Sequence, residues 1–141
     1  AFLLNRSSDL EIVDTIDNNA FEKCNQLSTI QLPTSLKVLG ERCFSGCPIS
    51  DVKLPESLEV VGHSCFSGCQ LTNIIVPKRV KSVDDRAFSC ETLTFVTILG
   101  DPSSWEGWYV FGNNENLQIN VAHKLSNGKL FRDYGNRIIQ P

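Results

Sequence analysis

Four cysteines stand in a repeated C-x3-C spacing, Cys43 with Cys47 and Cys65 with Cys69. Two close pairs of thiolates are the ligand set of a tetrahedral zinc site, which needs four sulfurs at about 2.3 Å from one metal. The chain has six cysteines in all, an even number, so disulfides are the other chemistry these residues could serve. His63 lies two residues before Cys65. A Cys–His nucleophilic pair needs the two within hydrogen-bond reach and a third group to orient the base. His123 stands far along the chain, and no G-x-S-x-G, H-E-x-x-H or P-loop pattern occurs. Trp105, Trp108 and Tyr109 sit in a loop containing Gly and Ser, and aromatics of this kind recur at interface hot spots. Asn5-Arg6-Ser7 has the form of an N-glycosylation acceptor.

Whether any of these groups can meet depends on the elements that carry them, and those elements repeat. Phe21, Phe44, Phe66 and Phe88 are separated by 23, 22 and 22 residues, and Phe111 follows 23 later. Five residues before the first four stand Ile16, Leu39, Val61 and Val83, and eight before stand Val13, Leu36, Leu58 and Val80. A small residue always precedes: Ala20, Cys43, Cys65 or Ala87. After each Phe comes an L-x-x-I-x-L segment, such as Ile49, Val52 and Leu54 or Leu71, Ile74 and Val76, and Pro33, Pro55 and Pro77 close three of the four. The period-two end of this segment reads as a strand of about three to five residues. The following Pro has no N–H for the ladder and ends it. From Leu36 to Cys47 the apolar positions lie three to five apart, which suggests one helical turn rather than a helix. A fixed period in this range is the mark of a solenoid, in which each repeat buries its apolar face against its neighbours.

The register sorts the reactive residues. Cys43 and Cys65 share a column with Ala20 and Ala87, a position that wants something small and buried, while Cys47 and Cys69 share another with Cys24. The two members of each pair therefore fall in different columns, and buried thiols acting as small hydrophobes are the leading reading over a metal. Disulfides between adjacent rungs stay open, because stacking brings Cα atoms into the permitted range. His63 is expected on a turn facing solvent while Cys65 faces inward, which separates the pair. The phenylalanines should form a buried aromatic column, and Phe66→Ala, with neighbours on both sides, is expected to cost more than Phe111→Ala.

The pattern L-x-x-I-x-L-P-x-S-L-x-x-[IVL]-G-x-x-[AC]-F-x-G-C resembles the BspA-type (Treponema-type) leucine-rich repeat. Ile49 to Cys69 follows it almost without departure, and the likeness covers roughly Val13 to Gly100. The resemblance implies an α/β repeat solenoid: a right-handed leucine-rich-repeat coil with one short parallel strand per 22–23-residue repeat and short helical or extended convex segments. The whole chain, 1–141, is expected to be one leucine-rich-repeat domain. Residues 1–21 form an incomplete first repeat, with Ser7 and Asp9 where strand apolars would fall. Residues 22–100 are regular repeats. Residues 101–141 form a degenerate last repeat and a C-terminal cap with Leu130, Phe131, Tyr134, Ile138 and Ile139 among polar residues. Ser103 and Glu106 replace the apolar positions before Phe111, and Asn114 replaces the cysteine.

Three columns point outward from the strands. Ser28, Ser50, Thr72 and Thr94 are all hydroxyl and read as sheet structure through cross-strand hydrogen bonds. Thr29, Asp51, Asn73 and Phe95 form the second, and Gln31, Lys53, Ile75 and Thr97 the third. These variable columns are where a binding face would be written. The candidate partner-binding residues are Asp51, Lys53, Asn73, Ile75, Phe95, Thr97, Trp105, Trp108 and Tyr109, with the alternative that both tryptophans are buried in the cap. The charge, −3 with signs interspersed, argues against nucleic acid. No apolar run approaches the roughly 18 residues that span a membrane, and Phe2-Leu3-Leu4 is too short for a signal peptide. Starting at Ala1 without Met, the chain reads as a mature product or a cut fragment. The expected function is non-catalytic protein binding, with no cofactor and no catalytic or metal residues. The resemblance implies an extracellular or cell-surface setting, with adhesion and a host or matrix protein as partner. The alternative is a capping or spacer fragment of a longer array. The chain is expected to be monomeric or to self-associate through an open edge.

Overall fold

The computed structural model describes residues 12–125 and 127–141. The Asn5–Ser7 acceptor and the positions of Ser7 and Asp9 lie outside them. In chain order the elements are β1 (Thr15–Ile16), β2 (Val38–Leu39), β3 (Val60–Val61), β4 (Asn73–Val76), β5 (Ser82–Val83), β6 (Phe95–Ile98), a 3-10 turn (Pro102–Ser104), β7 (Gln118–Val121), α1 (Lys129–Tyr134), a 3-10 turn (Gly135–Arg137) and β8 (Ile138–Ile139).

The strands form two four-stranded parallel sheets, one of β1-β2-β3-β5 and one of β4-β6-β7-β8. The second holds the strands expected from L-x-x-I-x-L, and a parallel bridge between Thr29 and Asp51 carries its columns into the earlier coils. The first sheet is a correction: a repeat has a second strand, not one. It arises where Leu36 to Cys47 suggested a helical turn. That stretch is extended at β2 and then runs through consecutive turns. Two-residue strands have no room to show alternation, so no sequence period announced them. The extended form of the convex segments is the one adopted, and α1, in the C-terminal region, is the one α-helix among the described residues. The chain is a parallel β-solenoid of about 22-residue coils.

Stacking demands close backbone approach at one corner. A Cβ on Gly62 would meet Glu41 N and Gly40 C at 2.7 Å, and one on Gly40 would meet Asn18 N at 2.6 Å. Another corner, two residues before each Phe, takes positive φ without glycine: Asn19 (62°), Arg42 (52°), Ser64 (52°), Arg86 (54°) and Tyr109 (44°). Non-glycine residues enter this region at a cost, and the ladder on both sides must hold them there.

The core is the expected aromatic column. Phe21, Phe44, Phe66, Phe88 and Phe111 stack with ring centroids 5.4, 5.4, 5.5 and 5.6 Å apart. Each ring is fully buried except Phe21, which is half-buried in the first coil. Burying a Phe contributes about 1.5–3 kcal/mol, and offset stacking adds roughly 0.5–1.5 kcal/mol. Beside the rings runs a backbone ladder in which each Phe N–H donates to the next coil: Phe21 to Cys43 O (2.8 Å), Phe44 to Cys65 O (3.0 Å), Phe66 to Ala87 O (2.7 Å) and Phe88 to Val110 O (2.7 Å).

The ladder ends on a side chain. Phe111 N–H donates to the Tyr134 hydroxyl oxygen at 3.1 Å, and that hydroxyl donates to Gly112 O at 2.5 Å. Tyr134 is fully buried, 6.2 Å from the Phe111 ring, and stands 23 residues after it. It is thus the sixth member of the column. Burial pushes its phenol well above the usual range, which keeps the proton it donates. This overturns the premise that Phe111 has one neighbour: it lies between Phe88 and Tyr134 and also touches Trp105, ring centroids 6.3 Å apart. Among the described residues, Phe21 stacks on one ring, Phe44.

Candidate binding face

The outward side of the second sheet is built by alternation. In β4, Ile74 and Val76 enter the core while Asn73 and Ile75 face out, and β6 and β7 repeat this with Phe95 and Thr97, then Gln118 and Asn120. Register aligns Asn73 with Phe95 and Gln118, and Ile75 with Thr97, Asn120 and finally Ile139. Asp51, Lys53, Asn73, Ile75, Phe95 and Thr97 therefore lie on one face, as the columns predicted. Ile75 is 56% exposed and Phe95 41%. Asp51, Lys53, Asn73 and Ile75 line one groove of about 320 Å³, to which Leu99 also contributes.

Leu99, Gln118, Asn120 and Ile139 also belong to this face and were not among the expected residues. A signal for the first existed: Leu99 occupies the position of Pro33, Pro55 and Pro77. Gln118 and Asn120 follow from the Leu117, Ile119, Val121 alternation once that strand is set beside β6. Ile139 carried no such signal, because β8 is two residues long.

The aromatic loop divides. Trp105 is buried, and its indole N–H donates to Val80 O at 3.2 Å, so it leaves the list of surface candidates. The cause is a local inversion. Gly107 N–H donates to Val83 O at 3.1 Å, as Gly62 does to Leu39 O, which places Glu106 in the column of Ile16, Leu39, Val61 and Val83. Glu106 instead faces solvent and Trp105 fills the core. Trp108 and Tyr109 stay exposed, and Lys129 Nζ lies 3.9 Å above the Trp108 ring, a cation–π contact. Tyr109 N–H donates to the Asp133 carboxylate at 2.9 Å. The expected burial thus holds for Trp105 and not for Trp108.

The cysteines occupy the two columns expected. Cys43, Cys47, Cys65, Cys69 and Cys90 are buried and Cys24 is exposed. Cys47, Cys69 and Cys90 donate to the Phe carbonyl of an earlier coil: Phe21 O (3.0 Å), Phe44 O (3.2 Å) and Phe66 O (3.1 Å). Burial raises the Cys47 and Cys69 thiols and pushes Cys90 up to about 11. These sulfurs keep their protons at neutral pH, the reverse of what a nucleophile or a zinc ligand requires. Asn114, in place of the next cysteine, donates its amide to Glu91 O and Leu93 O, both at 2.9 Å. In the hydroxyl column, Thr94 Oγ1 donates to Thr72 O at 3.3 Å.

His63 lies on a turn with Cys65 turned inward, as expected, but it is half-buried rather than turned fully to solvent. It forms with Asp84 and Asp85 a group whose potential ligand atoms all lie within 4.8 Å. Asp84 Oδ1 accepts from Asp85 N–H at 2.7 Å and Asp85 Oδ1 from Trp108 N–H at 2.8 Å, so the carboxylates brace the turns around them. On the first sheet, Lys81 Nζ lies 3.1 Å from Glu59, and that hydrogen bond holds the carboxyl below its ordinary range. Among the described residues, no helix is long and apolar enough to cross a membrane.

The same architecture occurs in other leucine-rich repeat proteins. A leucine rich cell surface protein from Faecalibacterium prausnitzii is 28% identical with a TM-score of 0.69, over 79% of this chain and 30% of that one. A leucine-rich repeat protein from Bacteroides ovatus is 31% identical with a TM-score of 0.66, over 81% and 33%. The T. pallidum leucine rich repeat protein is 26% identical with a TM-score of 0.63, over 77% and 51%. The chain spans about a third of the first two and half of the third. No curated protein matches it. The family model for the BspA type leucine rich repeat region matches residues 14–129 in six copies. With that match over most of its length, and with coils that keep the aromatic column and the ladder, the chain belongs to the BspA-type leucine-rich repeat family.

Proposed function

We propose that this chain is a non-catalytic protein-recognition module that binds through the outward face of the second sheet, in an extracellular or cell-surface setting. The observation that carries the reading is the exposure of Ile75, Phe95 and Leu99 beside charged Asp51 and Lys53. Exposed apolar side chains ringed by polar ones mark contact sites. The groove beside them, about 320 Å³, is lined by both apolar Ile75 and Leu99 and charged Asp51 and Lys53. The surface setting is supported by the Faecalibacterium relative, a cell surface protein. An adhesive role toward a host or matrix protein extends this reading. The test compares wild type with the triple variant Phe95→Ala, Ile75→Ala, Lys53→Ala in a pull-down against matrix and cell-surface proteins. Loss of a captured partner with unchanged circular dichroism is expected. Undiminished capture by the folded variant would remove the strand face as the site.

A second reading has its own observation. The aromatic column runs on to Tyr134, whose hydroxyl accepts the Phe111 N–H, and among the described residues Phe21 stacks on one ring, Phe44. A chain built this way serves equally as the C-terminal cap of an array. Fusing regular coils before Ile12 should then raise the melting midpoint without altering capture.

A further inference from the structure

We propose that Cys43 and Cys65 are an oxidative cross-linking site, joining as a disulfide that staples two successive coils through the core. Their Sγ atoms lie 3.3 Å apart and both side chains are fully buried. The column holds alanine on either side of the pair, Ala20 below and Ala87 above, so no third thiol stands in it to compete. The ladder fixes the register, since Phe44 N–H donates to Cys65 O at 3.0 Å. Adjacent rungs at about 4.8 Å fall inside the roughly 4.4–6.8 Å range of Cα separations that disulfides span. From 3.3 Å the sulfurs need to close by about 1.3 Å to reach a bond of about 2.05 Å.

The remaining thiols are placed differently. Cys47, Cys69 and Cys90 each donate to a Phe carbonyl, and Cys24 is exposed at the first coil. The pairing is therefore specific to one column, and it does not rest on the strand face being a binding site.

Bond formation removes two protons and two electrons from the thiols. Glutathione disulfide accepts the electrons: one cysteine thiolate attacks it and releases a first glutathione thiolate, then the second cysteine thiolate attacks the mixed disulfide and releases another. Both sulfurs are sealed in the folded coil, so exchange belongs to the folding chain, before the core closes. The bridge then restricts the unfolded ensemble, which raises stability.

The experiment refolds denatured, reduced protein in a mixture of reduced and oxidised glutathione, alkylates free thiols and locates bridges by fragmentation mass spectrometry. Expected are a Cys43–Cys65 bridge, alkylation at Cys24, Cys47, Cys69 and Cys90, and a melting midpoint that falls when reductant is added. Alkylation of all six thiols, or a bridge through any other cysteine, would overturn the proposal. Cys43→Ala places the residue already found in that column at Ala20 and Ala87, so it should fold and lose the reductant dependence. A reductant-sensitive midpoint persisting in that variant would also overturn it.

Discussion

Tyr134→Phe isolates one atom that terminates the backbone ladder. The substitution keeps the ring, and with it the contacts to Phe111 and Tyr109, each with ring centroids 6.2 Å apart. What it removes is the acceptor for Phe111 N–H at 3.1 Å and the donor to Gly112 O at 2.5 Å. Phe111 is fully buried, so water cannot replace the lost acceptor, while Gly112 is half-exposed and can be hydrated. One orphaned buried group costs about 1–3 kcal/mol. At tenfold per about 1.4 kcal/mol, the Phe111 amide should exchange with deuterium roughly 5- to 150-fold faster. The loss should concentrate in the last coils, because solenoid stability is a sum of local and nearest-neighbour terms. Amide exchange read residue by residue is the assay, with the Phe44 amide, whose partner Cys65 O is untouched, as internal reference. A Phe111 amide that exchanges as in wild type would refute the capping role of the hydroxyl.

Further predictions concern the column, the corners and the thiols. Phe66→Ala and Phe111→Ala should each cost about 3–5 kcal/mol in urea unfolding, and Phe21→Ala clearly less; a Phe111 variant as mild as Phe21 would contradict the two-sided packing. Gly62→Ala should destabilise by about 1–3 kcal/mol, because its Cβ meets backbone at 2.7 Å, while Gly135→Ala, with nothing within 4 Å, should be near neutral; similar midpoints for the two would undo the close-approach argument. In reduced native protein, a maleimide should label Cys24 fast and the five buried thiols only on unfolding. Rapid labelling at Cys47 or Cys69 would show that the columns open.

The main axis of the fold was legible because stacking repeats a demand. The same space must be filled at each rung, so the phenylalanines recur every 22–23 residues, and small residues, prolines and alternating strand apolars recur with them. That register also placed Asp51, Asn73 and Phe95 in one outward column and assigned Cys43 and Cys65 to one inward column, as in the structure. The first sheet was not legible. Its strands are two residues long, too short for a period, and exist only because neighbouring coils supply ladder partners.

At the C-terminal end the balance reverses. Sequence alone determined that the coil repeats, which side chains share its core and which columns face out. Tertiary structure decided how residues 101–141 pack. Ser103 and Glu106 read as decay of the pattern, yet the aromatic column runs on to Tyr134, since a ring 23 residues further on suffices once the neighbouring rung is there to receive it. Trp105 and Trp108 are three residues apart in one loop, and composition does not distinguish them. Only the space left beside Phe111 buries one and leaves the other under Lys129. The physical reason is that repeated packing constrains each residue type against an identical neighbour, whereas a terminal rung has a different neighbour on each side and is solved once, in three dimensions.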